Sequence, residues 1–373
     1  MANISLRHVC KTFHNGVVAV RDCTLEAAEG EFLVVAGPEG SGKSTLFRLI
    51  AGLETPTEGD IYIGGVVVNQ LFPQQRNIAM VLPNHVLYPE LTVKENLAFR
   101  LKMHRMPEAE VERHVQEVAG LLQIDPLLDR KPGALTSMQQ QMVMLARAMV
   151  QGHKVLLLDE PFVHLDEKLR AQMGKELREL HKRLGITILY ATKDQAEAVA
   201  LGDRIAVMKE GFIQQAGAPE ELYASPANQF VAGFLGNPPM NFLNVKVGAD
   251  GSDYTFTFGK SAVRMPQGWD GTGVLKSYVG KNVVLGVRPK DVHDDPAFVE
   301  KMEKGVVNAE VEVMESVGGE SYLYLTCSGH SITAGVDADA MRQSGEPIQI
   351  AFDMEKIKLF DSDTEHTIWR FPH

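Results

Sequence analysis

The chain has few cysteines and no long apolar run. Its three cysteines, Cys10, Cys23 and Cys327, are far apart in sequence and form no C-x-x-C pair. This spacing argues against a disulfide framework and a zinc site, and it favours a reducing compartment. No run approaches the ~18 apolar residues of a membrane-spanning helix, and residues 1–7 lack the apolar core of a secretion signal. We therefore expect a cytoplasmic protein that does not itself span a membrane.

The chain also has fewer basic than acidic residues. Lysine and arginine total 37 against 48 aspartates and glutamates, which gives a formal net charge of −11. Because a generic nucleic-acid binder would be basic, this balance argues against that class. The length of 373 residues and the hydrophobic content of 45% indicate two domains, or one large domain with an appendage, that contain real cores.

A glycine-rich segment is the most informative stretch. Its residues are Gly37, Pro38, Glu39, Gly40, Ser41, Gly42, Lys43, Ser44 and Thr45. It follows an apolar run and opens a helical pattern, so it matches G-x-x-x-x-G-K-[ST] in a strand–turn–helix context. The glycines allow backbone N–H groups to close around a phosphate, and the helix N-terminus adds positive potential. Lys43 would reach the terminal phosphates and Ser44 would ligate Mg²⁺, so we expect this P-loop to bind a nucleoside triphosphate.

A second phosphate-site element follows the apolar run Val155-Leu156-Leu157-Leu158, which is typical of a strand buried on both faces of a parallel sheet. Asp159 ends this strand and would hold Mg²⁺ through water. Glu160 would lie near the terminal phosphate, where it could take a proton from an attacking water molecule. Phe13, just before a turn at residues 14–16, is a candidate for stacking on adenine, with ordinary core packing as the alternative.

Hydrophobic periodicity indicates an α/β architecture for the first part of the chain. Short strand patterns precede the P-loop, and a helical pattern extends from Val93 to about Val150. An amphipathic helix is expected over 166–184, and the apolar run 186–190 predicts a further buried strand. This β-α-β alternation with a helical insert indicates an α/β NTPase core.

The pattern changes near residues 236–239, where short alternating strands separated by glycines begin. Such a pattern is typical of an all-β, barrel-like domain. We therefore predict an α/β P-loop NTPase domain over residues 1–236, with a helical subdomain at about 85–153, followed by an all-β barrel-like domain over 237–373.

Several further segments resemble one protein family. They are Ala51-Gly52-Leu53-Glu54, Leu87-Tyr88-Pro89-Glu90-Leu91-Thr92-Val93, Asp159-Glu160-Pro161, Leu165-Asp166, Tyr223-Ala224-Ser225-Pro226-Ala227-Asn228, Phe230-Val231-Ala232-Gly233-Phe234-Leu235-Gly236 and Val287-Arg288-Pro289. With these segments in order, the chain resembles, nearly end to end, the ATP-binding subunits of ABC importers. The similarity is to the sugar and glycerol-phosphate type, which carries a C-terminal regulatory barrel. It implies an ABC nucleotide-binding domain with a helical subdomain.

The resemblance also implies a function. Such subunits couple the binding and hydrolysis of ATP, with Mg²⁺, to import of a carbohydrate, polyol or glycerol-type solute. They lie peripherally on the cytoplasmic face of the membrane and dock two transmembrane permease subunits, here expected near His85 to Asn96. A solute-binding protein takes part indirectly, and no nucleic acid is involved. ATP lies between the P-loop of one ATP-binding subunit and the signature motif of another.

Three positions depart from the family pattern, and the resemblance places all of them at the terminal phosphate. The signature motif, usually Leu-Ser-Gly-Gly-Gln, reads Leu135-Thr136-Ser137-Met138-Gln139, followed by Gln140, Gln141 and Met142 where basic residues are usual. Thr136 keeps a hydroxyl, and we expect Thr136 and Gln139 to contact nucleotide. Ser137 and Met138 replace glycines whose missing side chains allow the backbone to approach the phosphate.

The other two departures are in loops that follow strands. Pro83 stands where the family places a glutamine that touches Mg²⁺ and senses the permease, and proline offers neither a side-chain oxygen nor an N–H. Asn84 could replace it only with a one-residue shift of the loop. Lys193, between Thr192 and Asp194, replaces the switch histidine. It brings positive charge to the phosphate as a flexible cation and not as an orienting imidazole.

These departures bear on assembly. Lys43, Ser44, Asp159 and Glu160 are intact, so binding of Mg-ATP is expected to persist. Losing donors at a transferring phosphoryl group costs on the order of a hundredfold each, so a homodimer would be very slow. We predict a heterodimer with a second, more complete ATPase subunit, a homodimer being the weaker expectation. The alternatives are an active ATPase that tolerates all three substitutions, and a nucleotide-binding regulatory subunit that does not hydrolyse ATP.

The C-terminal domain has two possible roles. Dimerisation is the favoured one, because a barrel of this type needs no ligand to pack against another copy. The alternative is a receptor for a regulatory protein or a metabolite. Arg288 and Glu315 are candidates for polar contacts in such an interface, and a solvated surface position is an equally good interpretation of each.

Overall fold

The computed structural model describes residues 3–83, 86–317, 320–336 and 342–370. The chain divides into two compact units, residues 1–219 and 220–373. Within the described ranges, no helix is long and apolar enough to cross a membrane.

The first unit contains an antiparallel sheet of order β2-β1-β4-β5. Its strands are β1 (Ile4–Thr12), β2 (Val18–Ala27), β4 (Glu58–Ile63) and β5 (Val66–Val67). Strands β1 and β2 pair with several register shifts and are joined by the turn that contains Phe13. Cys10 and Cys23, which are 13 positions apart in the sequence, therefore lie on neighbouring strands, and both are free thiols. Burial raises the pKa of the Cys23 thiol to about 12.

The second sheet of this unit has the order β10-β9-β3-β8-β7-β6. Its strands are β3 (Phe32–Ala36), β6 (Ala79–Val81), β7 (Val155–Asp159), β8 (Thr187–Thr192), β9 (Arg204–Lys209) and β10 (Phe212–Gly217). Only β10 pairs antiparallel among these strands. Every residue of β3, β7 and β8 is buried, which explains why their sequences are continuous apolar runs. Because the strands are parallel, their carboxyl ends meet at one edge of the sheet.

The described part of this unit contains six α-helices. They are α1 (Lys43–Ala51), α2 (Val93–Met103), α3 (Glu108–Leu121), α4 (Ser137–Met149), α5 (Glu167–Leu184) and α6 (Gln195–Leu201). Helices α2, α3 and α4 pack on one another and form the predicted helical insert. The side chain of Asn96, fully buried on α2, bonds the backbone of Tyr88, Leu91 and Thr92 and so holds the segment that precedes the helix.

The second unit is built from two antiparallel sheets, of orders β13-β12-β11-β14-β20-β21 and β15-β19-β16-β17-β18. The strands are β11 (Asn241–Asp250), β12 (Asp253–Phe258), β13 (Ser261–Pro266), β14 (Asn282–Val287), β15 (Val292–His293), β16 (Val306–Val317), β17 (Glu320–Cys327), β18 (His330–Val336), β19 (Pro347–Phe352), β20 (Lys358–Asp361) and β21 (Thr367–Arg370). Alternate residues from both sheets form one apolar core. The β-rich prediction for this part of the chain is therefore confirmed.

Short helices α7 (Pro219–Ala224) and α8 (Gln229–Phe234) precede these strands, and α9 (Pro296–Lys301) lies among them. Arg288 is only 3% exposed, and its guanidinium donates to the carbonyls of Tyr223, Ala232 and Leu235. It therefore holds α7 and α8 within this unit, and both expectations for Arg288, an interface contact and a solvated surface position, are wrong. The two compact units of the structure meet between residues 219 and 220. The domain boundary between residues 236 and 237 stays a prediction from the sequence.

Candidate nucleotide-binding site

The P-loop connects β3 to α1, with Gly42 at the helix N-cap in a left-handed conformation, φ 106°. Packing requires two of its glycines, Gly37 and Gly42, to lack a side chain. A Cβ added at Gly37 would lie 2.1 Å from the carbonyl oxygen of Met208, and one at Gly42 would lie 2.3 Å from that of Ala19. Neighbouring strands thus press directly on the loop backbone, and any side chain at these two positions would displace it.

Lys43 lies inside the loop and is only 4% exposed. Its Nζ donates to the carbonyl oxygens of Gly37 and Pro38 at 2.8 Å each, and it lies 3.7 Å from Oε1 of Glu160. Burial lowers the pKa of the Lys43 ammonium, while the carboxylates of Glu160 and Asp159 act in the opposite direction. The loop therefore holds a desolvated ammonium group that donates to backbone carbonyls. A phosphate oxygen can take the place of these carbonyls as the acceptor.

Ser44 and Asp159 lie together beneath the loop. The Ser44 hydroxyl donates to Oδ1 of Asp159 at 3.0 Å, while Oδ2 of Asp159 and the hydroxyl of Ser41 are buried without a hydrogen-bond partner. Burial raises the pKa of the Asp159 carboxyl, and the Ser44 bond lowers it. A hydroxyl beside an unpartnered carboxylate oxygen is the hard-oxygen donor set that Mg²⁺ prefers, so these residues fit the ion that the fold implies.

Glu160 adopts an unusual backbone conformation for a residue with a side chain, φ 45°. Its N–H donates to the carbonyl oxygen of Ala191 on β8 at 3.0 Å, which fixes the turn after β7. The side chain is 21% exposed and faces Lys43. A partly exposed carboxylate held by such a turn at the mouth of the site is placed to accept a proton.

Lys193 begins the loop after β8, whose last residue, Thr192, accepts a hydrogen bond from the N–H of Gly37 at 3.2 Å. The Lys193 side chain is exposed, and its charge contributes to lowering the pKa of Lys43. The structure therefore brings Lys193 within electrostatic reach of the P-loop. Asp194 caps α6 and bonds Nη1 of Arg170 at 3.0 Å.

The remaining predicted residues lie elsewhere. Phe13 is half-buried in the β1–β2 turn, with Nζ of Lys11 5.0 Å from its ring centroid. Thr136 and Gln139 form a capping box at the start of α4: Oγ1 of Thr136 accepts from the N–H of Gln139, and Oε1 of Gln139 accepts from the N–H of Thr136. Asn84 and His85 lie outside the described residues. Roles for Phe13, Thr136 and Gln139 toward nucleotide stay predictions.

His164 was not among the predicted site residues. It lies in the loop between Glu160 and α5, and its Nε2 is 3.2 Å from the carbonyl oxygen of Pro83, the residue that replaces the family glutamine. The only signal in the sequence was a histidine close to Glu160, and such proximity does not reveal a contact with a residue 81 positions away.

A groove beside the helical insert is the other prominent feature. It has a volume of about 340 Å³ and is lined by Met80, Val81, Tyr88, Asn96, Phe99, Arg100, Met103, Met144, Arg147 and Ala148. The rings of Tyr88 and Phe99 are 4.7 Å apart, and the Arg147 guanidinium lies 5.5 Å from the Tyr88 ring centroid. Met103 of the groove lining is 68% exposed, and Val86, whose carbonyl accepts from Nη1 of Arg147 at 3.2 Å, is 76% exposed. Exposed apolar surface of this kind typically marks an interaction site.

A P-loop at the carboxyl edge of a parallel sheet, an acidic pair at the end of β7 and a helical insert together define an ATP-binding cassette. The family described as ABC transporter matches residues 20–163, and the one described as MalK OB fold domain matches residues 236–292.

Relatives extend this match to nearly the whole chain. The oligosaccharides import ATP-binding protein MsmX of Bacillus subtilis is 43% identical over 98% of this chain and 99% of its own length. The trehalose/maltose import ATP-binding protein MalK of Thermococcus litoralis is 43% identical over 99% and 100% of the two chains. The sn-glycerol-3-phosphate import ATP-binding protein UgpC of Cupriavidus necator is 41% identical over 98% of each.

Solved structures agree for the first unit. The dimeric ABC transporter cassette MJ0796 is 31% identical over 58% of this chain and 98% of its own, with a TM-score of 0.51. CbiO1 of Clostridium perfringens is 28% identical over 60% and 90%, with a TM-score of 0.56. The chain belongs to the family of import ATP-binding proteins of ABC transporters. It is accordingly an ABC-type transporter ATPase that binds ATP with Mg²⁺.

Proposed function

We propose that this chain powers the import of a carbohydrate, polyol or glycerol-type solute. The observation that carries the proposal is end-to-end similarity, including the C-terminal β-rich part, to import proteins named for oligosaccharides, trehalose/maltose and sn-glycerol-3-phosphate. We place the chain peripherally on the cytoplasmic face of the membrane, with two permease subunits as partners and a solute-binding protein acting indirectly.

The geometry of the site supports a division of roles. Lys43 and the loop N–H groups bind the phosphates, and Ser44 and Asp159 are the residues that would hold Mg²⁺. The ion would supply positive charge beside the phosphates. Glu160 accepts the proton of the attacking water. Lys193 adds positive charge at the same edge of the sheet.

Single-turnover cleavage tests hydrolysis by this chain. We expect purified chain to cleave bound ATP slowly, and Glu160→Gln to retain ATP affinity while cleavage falls by about 10²-fold or more, since general-base catalysis contributes about 10²–10⁴-fold. Glu167→Gln, an exposed acid at the start of α5, is the matched control. ATP binding by wild type without cleavage above background would instead favour the alternative, a regulatory subunit that binds nucleotide without hydrolysing it, and equal measurable cleavage by both proteins would exclude Glu160 as the base.

The permease subunits are expected to dock on the groove beside Tyr88 and Phe99, close to the predicted docking segment His85 to Asn96. Apolar surface around Val86 and Met103 suits an apolar helix, and Arg100 and Arg147 suit acidic residues at its edge. We expect Met103→Glu to weaken co-purification of the permease subunits by about tenfold, because the new carboxylate would be desolvated in the interface. Lys168→Glu, on exposed surface of α5, should have no such effect.

The sequence of the signature segment leads us to propose a second ATPase subunit as partner. Ser137 and Met138 occupy the first turn of α4, where the family pattern has glycines. With an intact partner, the nucleotide on this chain's P-loop would meet a complete signature motif. We expect the mixed pair to hydrolyse ATP at least about a hundredfold faster than this chain alone. Equal rates, or a homodimer as the only assembled species, would contradict the heterodimer.

A further inference from the structure

One hydrogen bond ties the loop after Glu160 to the loop after β6. His164 Nε2 lies 3.2 Å from the carbonyl oxygen of Pro83. A carbonyl oxygen only accepts, so the ring nitrogen is the donor, and an Nε2–H donor is available in the neutral Nε2–H tautomer and in the charged ring. From this contact, and resting on the proposed function, we propose that His164 is a positioning residue that couples the loop at Pro83 to the loop that carries Glu160.

Pro83 makes such a link necessary. A proline has no N–H and no polar side chain, so its carbonyl is its one polar group. The donor to that carbonyl is His164, which belongs to the loop between β7 and α5. The neighbouring strand residue Val81 lines the groove proposed for the permease. A displacement of the groove edge therefore reaches His164 through two residues of backbone.

The contacts continue from His164 toward the phosphate edge of the sheet. The carbonyl of Leu165, its neighbour, accepts from Nη2 of Arg170 at 3.1 Å. Arg170 Nη1 in turn donates to Oδ2 of Asp194 at 3.0 Å, next to Lys193. Three polar contacts, linked by the backbone at His164–Leu165, thus connect Pro83 to the loop that carries Lys193 and Asp194. These contacts form a continuous path between the two loops, and the variants described next measure how strongly the loops are coupled.

His164 is exposed, so its substitution should leave folding intact. The test compares His164→Ala, which removes the donor, with His164→Gln, whose amide keeps a donor at a similar reach. His8→Ala is the matched control, because His8 is another exposed histidine with one side-chain bond, to Asp22. Equal melting temperatures of all four proteins establish that folding is unaffected.

The functional readout is the ATPase rate of the chain alone and of the transporter assembled with its permease subunits in lipid nanodiscs. A net hydrogen bond changes an equilibrium by about two- to tenfold, so we expect His164→Ala to lower permease-dependent stimulation by that factor. Its ATP affinity and its rate in isolation should stay within about twofold of wild type. His164→Gln should regain most of the stimulation, and His8→Ala should match wild type.

A second readout needs no transport. Amide hydrogen exchange of the purified chain should be faster in residues 79–82 and 160–166 for His164→Ala, and near wild type for His164→Gln. Wild-type stimulation and exchange in His164→Ala would overturn the proposal, as would a His164→Gln protein that behaves like His164→Ala. An absence of permease stimulation in the wild-type chain contradicts the proposed function, and the exchange result then decides the role of His164 alone.

Discussion

Asp159 is the residue at which burial and function conflict most directly. It ends a strand that is buried throughout, and one of its carboxylate oxygens has no hydrogen-bond partner. Burial raises the pKa of this carboxyl. A carboxyl with a higher pKa in the folded state than in the unfolded state binds its proton more tightly when the protein is folded. Its contribution to stability is therefore complete at a pH below the unfolded-state pKa, and it is lost as the pH rises through the folded-state pKa. Ionisation of this carboxyl therefore costs stability in the free protein, and bound Mg²⁺ would compensate the charge.

We expect Asp159→Asn to raise the melting temperature of the nucleotide-free chain at pH 7. Asparagine has nearly the same shape without the charge, so the cost of burying a carboxylate is absent, and each kcal/mol gained raises the melting temperature by about 2–4 °C for a unit of this size. The advantage should shrink as the pH falls toward the folded pKa of Asp159, where wild type is neutral as well. Differential scanning fluorimetry between pH 5 and 8 measures the trend.

The same variant should lose the Mg²⁺-dependent part of the stabilisation that ATP brings. For wild type this stabilisation is about 2.7 kcal/mol at a ligand concentration a hundred times the dissociation constant. Asp129→Asn, at an exposed position, serves as control and should behave as wild type in both measurements. A lower melting temperature of Asp159→Asn at pH 7 would contradict this account of the buried charge.

Among the elements, the P-loop has a conformation that its surroundings constrain directly. Gly40 and Gly42 both have positive φ, at 75° and 106°. A Cβ at Gly40 would meet open space, whereas one at Gly42 would collide with the carbonyl of Ala19. The two positions therefore separate backbone strain from steric exclusion.

We expect Gly40→Ala to lower the free energy of unfolding by about 1–2 kcal/mol, the usual cost of a left-handed residue with a side chain. Gly42→Ala should lose about 1–3 kcal/mol more, because the loop must also move away from β2. Urea unfolding in the absence of nucleotide measures both values. ATP affinity should fall much further for Gly42→Ala, and equal losses for the two variants would show that packing at Ala19 does not matter.

At the scale of the whole molecule, each of the two units has its own apolar core. Only the first contains the nucleotide site. A ligand that binds one folded unit raises the melting temperature of that unit alone when the units unfold separately.

We therefore expect two calorimetric transitions, of which Mg-ATP shifts one. Arg288→Met should lower the other, because it leaves the carbonyls of Tyr223, Ala232 and Leu235 without their donor. Unsatisfied buried carbonyls cost about 1–3 kcal/mol. Lys276→Met, on exposed surface of the same unit, is the control. A single transition that Mg-ATP moves as a whole would show that the units unfold together.

The sequence by itself determined the α/β cassette, the β-rich half, and the positions of Lys43, Ser44, Asp159 and Glu160. These were predictable because the P-loop is one continuous segment, and because a buried parallel strand must be an apolar run that ends near the phosphate edge. For Thr136 and Gln139 the sequence predicts contacts with nucleotide, whereas their reciprocal capping bonds at the start of α4 come from the structure.

Only the tertiary structure decided which distant residues meet. It brought His164 to the carbonyl of Pro83 and buried Arg288 beneath the carbonyls of α7 and α8. The physical reason is the same in each case. These contacts join side chains to backbone groups or charges far away along the chain, and a carbonyl oxygen is offered by every residue. A residue type alone therefore cannot indicate which carbonyl it will find.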